Sequence, residues 1–136
     1  MGLARPLPET DGCAADYWRA AGEGRLVIQR CKACSAAQHY GRPFCTHCGG
    51  EQPDWVDASG RGTVLSFTEV HRSPYDDLPA PYVVALVRLA EGVTLLTHIV
   101  DTPAADIRCD MPVQLAFRPL REGFQLPVFR IAGGDA

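Results

Sequence analysis

The chain has 136 residues, 46% hydrophobic and 21% charged, with a formal net charge of -3 and a pI near 5.7. This is the make-up of a folded globular domain rather than a disordered chain, and the acidic balance runs against a protein built to follow phosphate backbones. No run of eighteen apolar residues occurs, so no membrane span is expected, and Met1 to Glu9 lacks the basic-then-apolar order of a signal peptide.

A cytoplasmic, reducing setting follows as the expectation, in which the six cysteines are metal ligands or free thiols rather than disulfides. Residues 1–10, with Pro6 and Pro8, show little pattern and read as a loose arm. A short helix is expected next: Asp11 can cap it, Ala14, Tyr17, Trp18 and Ala21 recur at helical spacing, and Gly22 and Gly24 stop it. Leu26-Val27-Ile28 is a β-type run leading into the first cysteine pair. Residues 31–48 have almost no apolar periodicity, so something other than a core must hold them. Pro53-Asp54 marks a turn, and Trp55-Val56 leaves this segment.

From Gly60 onward the pattern turns to strands. Gly62 to Arg72 alternates, placing Val64, Ser66, Thr68 and Val70 on one face and Leu65, Phe67, Glu69 and His71 on the other. Ser73–Pro81, rich in proline and aspartate, is a loop. Tyr82–Ala90 and Val93–Asp101 form a hairpin about Glu91-Gly92. Thr102 reads as a cap with Pro103 at the first helical position, giving one turn through Ala104, Ala105 and Asp106. Pro112–Pro119 and Gln125–Ile131 supply two more strands, and Ala132–Ala136 reads as a frayed tail. Five strands with a helical turn between the third and fourth match the OB-fold, a small Greek-key barrel. The fold class is mainly β, with 1–24 as arm and helix, 25–56 as a zinc ribbon and 57–136 as the OB-fold domain.

Cys31-x2-Cys34, ten residues, then Cys45-x2-Cys48 predicts two knuckles around one metal ion. Two residues between cysteines let both sulfurs face one ion from a tight turn, and four thiolates give the tetrahedral coordination that suits zinc. Gly49-Gly50 fits a knuckle needing positive φ, whereas the first knuckle has Ser35 at that place. A redox CxxC belongs at a helix N-terminus after a strand of a βαβ unit, a context missing here. Iron also accepts four sulfurs, and His39 or His47 could replace one cysteine, so both alternatives stay open. Four thiolates leave no open position for water, so the metal is structural.

A catalytic set is not legible. No phosphate loop, nucleophile elbow or HExxH is present. His71 and His98 fall on expected strands, Asp76-Asp77 reads as a solvated turn, and Cys13 and Cys109 read as reduced, unliganded thiols for which the sequence names no activating base. A ribbon joined to an OB-fold is also a plan for nucleic-acid binding, which needs a basic groove with stacking aromatics; strands two and three offer only Tyr82.

Several motifs in order carry a resemblance. They are Tyr17-Trp18, Gly24 to Cys34 (GRLVIQRCKAC), Arg42 to Cys48 (RPFCTHC), Gly60 to Thr68 (GRGTVLSFT), Pro81 to Val87 (PYVVALV) and Met111-Pro112-Val113. Over roughly residues 11–131 the chain resembles the acyl-CoA-associated family with a rubredoxin-like zinc ribbon followed by an OB-fold, long labelled a domain of unknown function. Asp110 stands where that family usually has glycine, which suggests an altered turn. The resemblance implies a non-catalytic accessory subunit, in a hetero-oligomer such as a heterotetramer with a thiolase-like chain that acts on acyl-CoA as a thiolase or aldolase. The coenzyme A thioester would then lie at the interface with the partner. The ribbon and the Ser73–Pro81 loop, with Tyr75, Leu78 and Tyr82 close together, are the expected contact surfaces.

Overall fold

The computed structural model describes residues 3–132. Its first element is helix α1, Ala14–Gly22, whose N-cap is Cys13 and not Asp11. Gly12 turns at φ 67°, and that extra turn residue carries Asp11 out of reach of the first helical N–H groups. Gly24, at φ 82°, ends the helix as expected, with the Arg25 N–H closing back onto the Ala20 carbonyl at 2.9 Å.

Strand β1, Val27–Arg30, lies at the centre of a three-stranded antiparallel sheet between β2, Ala37–Gln38, and β3, Asp54–Asp57. This sheet is the base of the ribbon. Five further strands close a barrel: β4, Arg61–Val70; β5, Tyr82–Leu89; β6, Thr94–Ile99; β7, Pro112–Pro119; and β8, Gln125–Ile131. The order β4-β5-β6-β8-β7, with β6 and β8 parallel at Ile99 and Phe129, is that of an OB-fold.

The simple alternation expected for β4 does not hold. A bulge at Leu65 lets Val64 pair with Val87 while Ser66 pairs with Leu86. One extra residue flips the phase, so Val64 is buried and Phe67, expected on the opposite face, also packs on the core. His71 lies just beyond β4, exposed, and faces Glu69 at 3.4 Å. Gly62 is needed where β4 and β5 approach, since a Cβ there would sit 2.5 Å from the Arg88 carbonyl oxygen.

The single turn Ala104–Asp106 between β6 and β7 is 3₁₀, and its N-cap is Pro103 rather than Thr102, with no side-chain cap. A turn this short closes through the Asp106 N–H onto the Pro103 carbonyl, so the cap falls one residue later than expected. Asp110 sits at φ 70°, and its N–H donates to the Val64 carbonyl at 2.7 Å. Aspartate is among the few residues other than glycine that tolerate this left-handed conformation.

One core serves both parts of the molecule. Leu26 and Ile28, at the entry to the ribbon, belong to the same buried cluster as Val64, Val87, Val113 and Phe129 of the barrel. The N-terminal arm is not loose over its described length. Leu3 bridges to Tyr75, and Arg5 holds Asp77 through both its backbone N–H and its guanidinium. Gly133–Ala136, most of the expected frayed tail, lie outside the described residues.

Candidate metal centre

β1 ends at Arg30 and delivers Cys31 into the first knuckle, and the second is folded back by an isolated bridge between Phe44 and Glu51. The Sγ atoms of Cys31, Cys34, Cys45 and Cys48 lie within 4.8 Å of one another. Cys31 and Cys48 approach to 3.5 Å, and Cys34 and Cys45 to 3.7 Å. A tetrahedral ion with metal–sulfur bonds of about 2.3 Å sets its ligands roughly 3.8 Å apart, so this arrangement fits one zinc. His39 and His47 stay outside the four-sulfur group, so neither takes the place of a cysteine.

The knuckles are also prepared electrically. The N–H groups of Ala33 and Cys34 point at Cys31 Sγ, at 3.3 and 3.4 Å. His47 and Cys48 do the same for Cys45 Sγ, at the same two distances. Donation from Cys34 and Ala33 brings the Cys31 thiol down to about 6, and donation from Cys48 lowers that of Cys45. Hydrogen bonds to the thiolate favour the form that binds metal. Gly49 turns at φ 81° as expected, and Ser35 adopts φ 66° in the other knuckle, a position glycine holds with less strain.

A polar network escaped the sequence reading. Gln29, almost fully buried on β1, donates from Nε2 to the Arg42 carbonyl and accepts the Arg42 N–H, at 2.9 and 2.8 Å. Its Oε1 also accepts from Gln38 Nε2 at 2.7 Å, and Gln38 in turn accepts from the Thr46 N–H and hydroxyl. The two amides thus tie Arg42 and Thr46 to β1 and β2, beyond the short pairing of β2 itself. The only signal in the sequence was a glutamine placed directly after Val27-Ile28.

His39 packs between rings, 5.5 Å from Tyr17 and 4.1 Å from Tyr40, and burial pulls its pKa down from 6.5 to about 4. Above pH 6.5 folded and unfolded chains both hold it neutral. Between pH 6.5 and 4 only the unfolded chain takes up the proton, so stability falls across that window. Relative to a His39→Gln chain, wild type is expected to lose about 2 kcal/mol between pH 7.5 and 5 in urea unfolding of the metal-loaded protein. Parallel pH curves for the two chains would contradict this.

The residues expected at a partner contact are less exposed than anticipated. Tyr75 is half-buried beside Leu3, Leu78 is half-buried, and Tyr82 lies against His98 at 5.3 Å. Asp77 is exposed, as expected of a turn, but Arg5 and Arg121 both reach its carboxylate. Burial pushes that carboxyl up, but the hydrogen bonds and charge of Arg5 hold it below the usual range. Among the described residues, the exposed large apolar side chains are instead Leu3, Tyr40, Phe44, Leu65 and Leu96. No helix among the described residues is long and apolar enough to cross a membrane.

Comparison with known proteins gives this architecture a family. Residues 18–54 match the family model described as the ChsH2 rubredoxin-like zinc ribbon domain, and residues 55–118 that of the ChsH2 C-terminal OB-fold domain. A probable enoyl-CoA hydratase alpha subunit of Thermomonospora curvata is 42% identical over 94% of this chain, which spans 40% of that relative's length. Benzoylsuccinyl-CoA thiolase subunit BbsA of Geobacter metallireducens is 34% identical over 68% of this chain, which spans 61% of it. Among solved structures, a chain of the Ltp2-ChsH2(DUF35) aldolase superposes with a TM-score of 0.84 at 42% identity, covering 94% of this chain and 99% of that one. With ribbon, barrel and four-sulfur cluster all in place, the chain belongs to the DUF35 family of ChsH2-type zinc-ribbon and OB-fold proteins.

Proposed function

We propose that the chain is a non-catalytic accessory subunit of a thiolase-fold enzyme, a thiolase or retro-aldolase, that acts on acyl-CoA. In this reading Cys31, Cys34, Cys45 and Cys48 hold one structural zinc, and the CoA thioester is bound where this subunit meets its partner. The observation that carries the reading is the likeness, across nearly its whole length, to the ChsH2(DUF35) chain of an aldolase. The name of the Geobacter metallireducens relative, a thiolase subunit, points the same way.

The ribbon is the better supported half of the contact surface. Phe44 stands 48% exposed and Tyr40 54% exposed, and aromatic side chains of this kind anchor protein interfaces. Tyr75, Leu78 and Tyr82 would then shape the neighbouring loop from within, so Leu78→Asp would disturb the fold along with any contact. Tagged chain expressed in its own host is expected to bring down a thiolase-fold protein identified by mass spectrometry. Phe44→Glu is expected to weaken that complex at least tenfold while zinc content and melting temperature stay unchanged. A chain that stays monomeric in its host's native extract would sink the assignment, and an unaltered complex with Phe44→Glu would move the interface elsewhere.

A further inference from the structure

A pocket of about 430 Å³ lies where the arm, α1, the ribbon and the barrel meet. The arm contributes Arg5, α1 contributes Tyr17 and Trp18, the ribbon contributes His39, and the barrel contributes His98 and Leu126. The volume falls within the range of small-molecule sites, about 300–1,000 Å³. Its aromatic wall is packed on further rings: Tyr17 and Trp18 meet edge to face at 5.1 Å, and Trp18 meets Phe124 at 6.2 Å. Tyr40, already offered to the partner, also lines the pocket, as does Leu96. The mouth therefore borders the surface proposed for the partner, and the isolated chain is the state in which it stands open.

The charge around this pocket is one-sided. Among the described residues that line it, Arg5 carries the one full charge and none is acidic. Burial lowers the His39 pKa to about 4 and raises that of the Tyr17 phenol to about 12, so both side chains are neutral at pH 7.5. Burial lowers the His98 pKa too, and the charge of Arg5 adds to the shift, so that charge is felt inside the pocket. Arg5 itself is only partly answered. Its Nη2 donates to the Asp77 carbonyl at 3.1 Å, and its Nε lies 3.4 Å from the Asp77 carboxylate, yet Nε is buried with no hydrogen-bond partner among the described residues. Asp77 also faces Arg121 at 3.6 Å, so two guanidinium groups share one carboxylate. One positive charge is left over beside the pocket, in a chain whose net charge is -3. A part-buried cation short of a counterion is costly, and an anion seated against it offsets that cost.

We propose that this pocket binds a small apolar carboxylic acid as its anion, with the carboxylate at the Arg5 guanidinium and the hydrocarbon body against Trp18 and Leu126. A guanidinium matches the two oxygens of a carboxylate with parallel N–H groups, a pairing that a ketone of the same shape does not offer. The site takes no residue from the four-sulfur cluster.

The test uses the zinc-loaded full chain at pH 7.5 and two probes of matched shape, 4-butylcyclohexanecarboxylate and 4-butylcyclohexanone. Binding is followed by NMR shifts of the Trp18 indole and the His98 ring. The carboxylate is expected to saturate both signals, and the ketone to bind about tenfold more weakly. Arg5→Gln is expected to weaken the carboxylate about tenfold and to leave the ketone unchanged, with zinc content and melting temperature reporting that the variant folds. Arg121→Gln, outside the pocket lining and with a side chain 40% exposed, returns Asp77 to Arg5 alone. It is expected to weaken the carboxylate about threefold. The proposal is overturned if the carboxylate gives no saturable shift up to its solubility limit, or if the ketone binds as well or better. A folded Arg5→Gln that binds the carboxylate as wild type does also overturns it; where that variant does not fold, an unchanged affinity in Arg121→Gln does the same.

Discussion

Replacing Cys45 by serine, or removing the metal with a chelator, is expected to unfold residues 31–50 and with them the docking surface. Cys45 is buried and sits between two backbone donors and the sulfur of Cys34. The segment around it has no core, and structural zinc in comparable finger peptides supplies on the order of 10–16 kcal/mol of folding free energy. No other interaction in the ribbon approaches that size, since an amide network such as that of Gln29 and Gln38 contributes about 1 kcal/mol per hydrogen bond. The measurements are zinc per chain by atomic emission and recovery of the partner on an affinity column. One zinc per wild-type chain should fall to none in Cys45→Ser, and the partner should be lost with it. Cys109→Ser, at an exposed thiol outside the four-sulfur group, should change neither. Full zinc and full assembly in Cys45→Ser would refute the metal site as drawn.

Phe129→Ala is expected to be the most costly single truncation in the barrel. The ring is 0% exposed, the largest fully buried side chain, and the residue pairs with Ile99 on one side and Leu115 on the other. Its carbonyl also accepts the Val100 N–H at 2.8 Å, so the ring and the backbone close the barrel at the same place. Phenylalanine-to-alanine changes in cores cost about 3–5 kcal/mol, a large part of the 5–15 kcal/mol that typically separates folded from unfolded domains. Urea unfolding of the zinc-loaded chain reads the loss directly. Leu65→Ala is the internal comparison: Leu65 occupies the bulge, 41% exposed, and should shift stability by no more than about 0.5 kcal/mol. Equal costs for the two variants would mean that Phe129 does not fill the core described.

The barrel was largely legible because its strands are bounded by residues that stop them. Pro112, Pro119 and Gly92 punctuate the chain, and β7 and β8 run over the spans that the pattern marks. The metal cluster was legible because its spacing alone brings the sulfurs together. The bulge at Leu65 was not, since a two-residue period has no way to announce one inserted residue until the partner strand is known. The pinned arm and the half-buried Tyr75 and Leu78 escaped for a related reason. Arg5 and Asp77 are 72 residues apart, and neither segment has a periodicity that points at the other. The pocket between arm, helix, ribbon and barrel is the extreme case, since its walls come from widely separated places in the chain and no local pattern encodes them.

Strand β1 carries a consequence for how such proteins are inherited and rebuilt. Ile28 is 0% exposed in the barrel core, and three residues later the same strand hands over to Cys31. A ribbon transplanted from an unrelated protein would leave a hole at the base of the barrel unless it brought matching side chains at 26 and 28. Ribbon and barrel are therefore best moved as one piece, and a chimaera should be cut before α1 or after Ile131, not between ribbon and barrel.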